Sequence, residues 1–259
     1  MILTPETIAF LVAAAFIAAA IDAMAGGGGL ISLPALMAVG IPPVAAVATN
    51  KLQSSFGTFG ACIAYARAGH MNLRVYRWPV IAAFLGSIGG AWLIQRVNPQ
   101  ILAGLMPVLL ISIAAYYMFS PKAGDLDQRQ RVGIAALSLL IGIVGFYDGF
   151  FGPGAGAFYA TIFLALGGLS LVRATAHAKA ANFASNIAGL LTMIAGGHVL
   201  WVAGLAMAVG SIAGGQIGSH LGMRFGSKLI KPLLIIMSLA LTAKMLIDPK
   251  NPIHAYLFG

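Results

Sequence analysis

The sequence predicts an all-α fold: a polytopic transmembrane helical bundle built from two inverted repeats, each with a glycine-broken or re-entrant helical hairpin. Three observations point there. The chain of 259 residues is 60% hydrophobic and 8% charged, with a mean hydropathy of +0.94, whereas soluble domains carry about 25% charged residues. An acid followed by a glycine break occurs twice inside apolar stretches, as Asp22-Ala-Met-Ala-Gly26-Gly27-Gly28-Gly29 and as Asp148-Gly149-Phe-Phe-Gly152-Pro153-Gly154-Ala-Gly156. Further landmarks recur at a nearly constant distance along the chain.

The elements follow in order. Residues 8–20 are apolar, but residues 1–7 hold no Lys or Arg, so the charged start of a signal peptide is missing and a retained first helix is expected. Residues 7–41 are too long for one span and are interrupted by the glycine run. Apolar runs at roughly 43–66, 79–96, 101–119, 132–151, 174–196, 200–222 and 229–247 are each near the ~20 residues needed to cross ~30 Å of hydrocarbon. Residues 132–171 repeat the broken shape around Gly152–Gly156. Backbone left unpaired in hydrocarbon costs several kcal/mol per group, so such breaks belong where protein or a cavity satisfies them.

Five landmarks repeat. Asp22 matches Asp148, and Ala48-Thr49 matches Ala174-Thr175, both 126 apart. Ala68-Gly69-His70 resembles Gly196-Gly197-His198 at 128. Gly86-Ser87-Ile88-Gly89-Gly90 resembles Gly210-Ser211-Ile212-Ala213-Gly214 at 124, and Pro107-Val-Leu-Leu-Ile resembles Pro232-Leu-Leu-Ile-Ile at 125. The chain therefore reads as one membrane domain, 1–259, with a first repeat over about 1–120, a polar linker at 121–131 and a second repeat over about 132–259.

Charge orients the repeats. Arg67, Arg74 and Arg77 place the loop at 67–77 in the cytoplasm by the positive-inside rule. The Asn98-Pro99 turn then lies outside and the linker inside. Arg224 and Lys228 put the Met223–Lys228 turn inside, although it corresponds to the external Asn98-Pro99 turn. The halves are thus expected in opposite orientations. The pairs Gly89-Gly90 and Gly214-Gly215 read as close helix-packing surfaces.

Ionisable side chains at membrane depth are costly and usually line cavities or pair with one another. Here they are Asp22, Lys51, Asp148, His177 and Lys179, one Asp and one Lys in each half plus one His. Thr175, Lys179, Asn182 and Asn186 are spaced by four, three and four and form one polar stripe on a helix. Asn50, Lys51 and Gln53 stand at the related place in the first half. Polar residues that only bond between helices are the competing explanation for single Asn and Ser side chains. Gly27, Gly28 and Gly154 let backbone approach a ligand closely. Helices that start after the breaks present unpaired N–H groups and positive dipole ends, which with two lysines suit a small anion. Asp22 and Asp148 fit three roles: ion pairing with the lysines, carrying a proton, or bonding the broken backbone. His177 fits a proton relay or a buried hydrogen-bonding histidine equally well.

Other classes find little support. The basic residues, net +9, are scattered among loops, which argues against nucleic acid. A single cysteine, Cys62, removes any intrachain disulfide or Cys-rich metal site. No metal or cofactor is expected, and no nucleophile, base and orienting group can be picked out for an enzyme. An anion channel and a non-transport membrane scaffold are the rivals to a carrier.

At these same residues the chain resembles the TauE/SafE family, also called the sulfite exporter family, and within it the YfcA-like branch. The resemblance rests on Ile21-Asp-Ala-Met-Ala-Gly-Gly-Gly-Gly29, Ala48-Thr-Asn-Lys-Leu-Gln53, Gly145-Phe-Tyr-Asp-Gly-Phe-Phe-Gly-Pro-Gly154 and Ala174-Thr-Ala-His-Ala-Lys179, and covers essentially the whole chain. It implies a multi-pass protein of the bacterial inner membrane that moves sulfite, sulfonates or related anions. The expected partners are a small anion and the lipid bilayer, with a homodimer left open.

Overall fold

The computed structural model describes residues 4–98 and 130–225, and these form eight α-helices. They are α1 (Pro5–Ala25), α2 (Gly29–Ala38), α3 (Pro43–Arg67), α4 (Leu73–Ile94), α5 (Ile134–Phe150), α6 (Ala155–Ala165), α7 (Leu171–Ala195) and α8 (Trp201–Phe225). The expected spans at 101–119 and 229–247, the linker up to residue 129 and the Pro107 and Pro232 landmarks lie outside the described residues. No strand occurs among the described residues, as the all-α reading expects.

Each glycine break turns one helix back along another. Thr4 caps α1 by accepting from the Thr7 N–H, and Gly26 ends it in the left-handed conformation at φ 82°. α2 then runs back beside α1: Leu33 and Leu36 share one apolar cluster with Leu11, Ala14 and Ala15, and Leu30 and Ile31 another with Ala18 and Ile21. In the second half, Gly154 at φ 78° starts α6, whose Tyr159 and Phe163 cluster with Leu137 and Ile141 of α5. The two breaks touch. The Ala157 N–H donates to the Gly26 carbonyl at 3.1 Å, and a Cβ on Gly26 would fall 2.2 Å from the Ala157 nitrogen.

The packing of the two halves is mutual. α1 lies along α8, and its counterpart α5 lies along α4. α3 packs on α8 as α7 packs on α4, and α3 and α7 meet at the centre. The outer helices carry exposed apolar side chains, among them Ile17, Leu85, Trp92, Leu139, Ile143, Leu205 and Val209. α1, α4 and α8 are long and apolar enough to cross a membrane. α3 and α7 have 25 residues each, about 37 Å at 1.5 Å per residue, but their polar side chains suit a sheltered centre rather than lipid. Residues 46–53 and 174–182 are buried without interruption.

Two sequence readings are corrected here. The helix expected from residue 79 begins at Leu73, because Asn72 caps it by accepting from the Val75 N–H. Pro79 leaves only a kink at Tyr76, where φ is −103° and ψ is 19°. The glycine repeat of α4 and α8 is also one turn out of register in the sequence reading. A Cβ on Gly86 would sit 2.1 Å from the Gly142 carbonyl oxygen, and one on Gly90 1.9 Å from that of Phe146. The counterparts on α1 are the carbonyls of Phe16 and Ala20, and they face Gly214 and Gly218, each at 2.1 Å. The equivalent glycines are thus 128 apart, not 124. Glycines spaced by four keep their pattern under a slip of one helical turn, so likeness alone does not choose the register.

Candidate functional site

α3 and α7 both begin after a proline or serine cap and run for 25 residues, so their starts at 43 and 171 set the same offset of 128. In that register Lys51 matches Lys179, Ser54 matches Asn182, and Thr58 matches Asn186. Both lysines lie at the centre of the molecule with side chains 1% exposed.

The ion pairs cross between the halves. Lys51 Nζ of α3 donates to Asp148 Oδ1 of α5 at 2.5 Å, and Lys179 Nζ of α7 donates to Asp22 Oδ2 of α1 at 2.8 Å. Lys179 also donates to the Asp22 backbone carbonyl, an acceptor near the end of α1. A chain of hydrogen bonds joins the two pairs. Asn182 Nδ2 donates to Asp22 Oδ2 at 3.5 Å, Asn186 Nδ2 to Asn182 Oδ1 at 3.2 Å, and Lys51 Nζ to Asn186 Oδ1 at 3.2 Å. Charges at this depth are retained only with partners of this kind.

The breaks contribute backbone to the same site. The Gly28 N–H, at the start of α2, donates to Asp22 Oδ1 at 3.3 Å. The Asp22 carboxylate is therefore held by an ammonium, a side-chain amide and a helix N-terminus, which together make a donor set for an oxyanion. Gly152 lies beside Lys51: a Cβ there would be 3.1 Å from Asp148 Oδ1 and 3.5 Å from Lys51 Nζ. Gly27 opens the turn into α2 through its carbonyl, which accepts from the Leu30 N–H. Gly154 opens α6 in the same way, accepting from the Ala157 and Phe158 N–H groups.

Asn50 and Gln53 form a second polar group beside the first. Asn50 Oδ1 accepts from Ser32 Oγ at 2.6 Å and from Gln53 Nε2 at 2.7 Å, and Gln53 Oε1 accepts from Ser211 Oγ. A small cleft runs past Asp22, Gly28, Gln53, Ser54 and Thr58. Asp22 is 17% exposed there, whereas the Asp148 side chain is 3% exposed.

His177 takes another place. Its Nε2 accepts from the Asn72 N–H at 2.9 Å and its Nδ1 donates to the Arg173 carbonyl at 2.7 Å, the pattern of a neutral ring. The ring packs on Tyr76 and Phe163. In the 128 register its counterpart is Thr49, which the 126 offset read from the sequence matches to Thr175 instead. Thr49 Oγ1 accepts from the Leu200 N–H at 3.2 Å. Each residue thus serves the start of a helix in the other half, α4 for His177 and α8 for Thr49.

Sequence reading overlooked Ser32, Ser185, Ser211 and Tyr159. Ser185 adjoins the polar stripe and Ser211 lies in the repeated Gly-Ser-Ile motif, so both left a trace. Tyr159 left none, because nothing in an apolar helix shows that one hydroxyl ends beside Ser185 and near Asp148.

Paired helical hairpins, membrane-spanning helices and a buried charged core built crosswise between two halves define an integral membrane protein with a polar site at its centre. The chain belongs to the family described as "Sulfite exporter TauE/SafE", which matches residues 11–245. It is 44% identical to "Probable membrane transporter protein ORF9" of Sinorhizobium sp. over 96% of each chain. It is also 44% identical to "Probable membrane transporter protein YfcA" of Escherichia coli K12, over 95% of this chain and 91% of that one. A "Probable membrane transporter protein" of Haemophilus influenzae is 43% identical over 94% and 96%. No solved structure matches the chain. The chain is a membrane transporter of this family.

Proposed function

We propose that the protein is a secondary transporter of a small, sulfur-containing oxyanion or organosulfonate, of which sulfite is the simplest. The observation that carries this reading is the crossed pairing of the two membrane-depth lysines beside the two glycine breaks. In the present arrangement the donors that suit an oxyanion are occupied by the chain's own carboxylates. An entering anion competes with Asp22 for Lys179, Asn182 and the Gly28 N–H, reaching them through the cleft lined by Gln53 and Ser54. By the two-fold pairing of the helices, Lys51, with Asn186 of the other half beside it, plays the part of Lys179 when the site opens on the other side. Alternating access then rocks one half against the other, the usual mechanism for transporters built from inverted repeats. The inverted orientation and the multi-pass placement in a bacterial inner membrane are part of this reading, supported by the positive loop at 67–77 and the exposed apolar faces of the outer helices.

The test is flux in proteoliposomes with sulfite, sulfate and taurine as probes. Sulfite flux is expected to saturate with concentration, which a channel would not show in the same range. Exchanging both Lys51 and Lys179 for Met is expected to lower sulfite flux at least about tenfold, the equivalent of losing ~1.4 kcal/mol of binding. Unchanged flux in that double variant would sink the site assignment.

A further inference from the structure

The two ion pairs are not equivalent. Asp148 Oδ1 accepts from Lys51, but among the described residues Asp148 Oδ2 has no hydrogen-bond partner, and neither do Ser185 Oγ and Tyr159 OH. Ser185 stands beside both Asp148 and Tyr159. All three residues are at most 2% exposed. Polar atoms at this depth are expected to be bonded, and each one left alone costs about 1–3 kcal/mol. Three such atoms lie together, a carboxylate oxygen that only accepts and two hydroxyls that can both accept and donate.

Asp22 has no such deficit. Its Oδ1 accepts from the Gly28 N–H, and its Oδ2 from Lys179 and Asn182. The places of Ser185 and Tyr159 in the first half are taken by Gly57 and Leu33, which have no hydroxyl.

We infer that Asp148, with Ser185 and Tyr159, forms the proton-binding site of this transporter, and that Asp22 does not serve as one. A proton arriving from water adds to a lone pair of Asp148 Oδ2. The new O–H donates to Ser185 Oγ, and the Ser185 hydroxyl is then free to donate to Tyr159. The Lys51–Asp148 contact loses its ionic character, and Lys51 keeps a positive charge with a neutral acid and the Asn186 amide beside it. That charge at membrane depth is expensive, and an anion placed on Lys51 and Asn186 removes the cost. One proton thus enters with one negative charge on the substrate, and both leave when the carboxylate pairs with Lys51 again. The groups facing Asp148 are Lys51 of α3, Tyr159 of α6, Asp22 of α1 and Tyr147 of its own helix, with Ser87 of α4 and Ser185 and Asn186 of α7 as neutral neighbours.

The coupling step rests on the transport reading above, whereas the proton site itself is tested without any substrate. Infrared spectra of the purified full chain in nanodiscs, recorded during a pH titration, report protonated carboxyl groups by their carbonyl band. A band is expected that Asp148→Asn removes and Asp22→Asn leaves in place. Ser185→Ala and Tyr159→Phe are expected to move its titration midpoint, each by about one pH unit. Should Asp148→Asn fail to reach the membrane, those two variants decide the matter. A band that is absent, that Asp22→Asn abolishes, or that ignores both hydroxyl variants overturns the inference. In proteoliposomes an inward proton gradient is expected to drive sulfite accumulation, with Tyr159→Phe moving its pH profile in step with the band. Sulfite flux that ignores the gradient overturns the coupling alone. A complete absence of sulfite flux tells against the transport reading, while the infrared result still decides the proton site.

Discussion

Lys51 and Lys179 are held by carboxylates that the chain order does not place near them. The sequence exposes the five ionisable residues singled out within the described helices, because each stands out in apolar surroundings. It does not reveal who pairs with whom, since that depends on which helices cross. Removing one partner of a buried pair costs about 3–5 kcal/mol, whereas replacing both by apolar residues is often neutral. Asp148→Leu alone is therefore expected to lower the thermal unfolding midpoint strongly, and adding Lys51→Met to recover most of the loss. Adding Lys179→Met instead should give no recovery, and recovery there would contradict the crossed pairing. His177 shows the same limit of sequence reading. Its type suggests proton chemistry, yet its bonds are those of a cap on α4. Changing it to Ala is expected to cost about 1 kcal/mol, the usual value for a lost cap, measured by thermal unfolding.

At the scale of helices, the broken hairpins were legible because glycine runs and an acid interrupt otherwise apolar segments. The glycine faces of α4 and α8 were legible as packing surfaces but not in register. Carbonyls of α5 and α1 sit where a Cβ of Gly90 and Gly218 would be, and only the partner helix determines which glycines those are. Gly90→Leu and Gly218→Leu are each expected to destabilise the protein by about 1–3 kcal/mol through forced separation of the helices. Gly133, whose Cβ would meet nothing within 4 Å, is the control, and Gly133→Ala should stay within about 0.5 kcal/mol. Equal losses at all three positions would show that packing against α5 and α1 is not the cause.

For the molecule as a whole, the orientation of the two halves is carried by loop charge rather than by contacts. His70 and His198 are equivalent turn residues, 128 apart, each following one of the two central helices. In a Cys62→Ala background, His198→Cys is expected to react with an impermeant thiol reagent in spheroplasts. His70→Cys should react only after the membrane is opened. Labelling of both from the same side would make the repeats parallel. The landmark offsets pointed to two related halves but not to which helices touch, and the meeting of the two breaks left no trace either, because no residue pattern reports that Gly26 and Gly156 lie against each other.

The crossed pairs also bear on ancestry. Among the described residues each half contributes one carboxylate and one ammonium to the central ion pairs, but neither satisfies the other within its own half. A single half on its own would keep two uncompensated buried charges. It becomes neutral only against a second copy turned to offer its acid to the first copy's lysine. A precursor of half this length would be expected to work as a two-fold dimer, a partnership that gene duplication with fusion would make permanent.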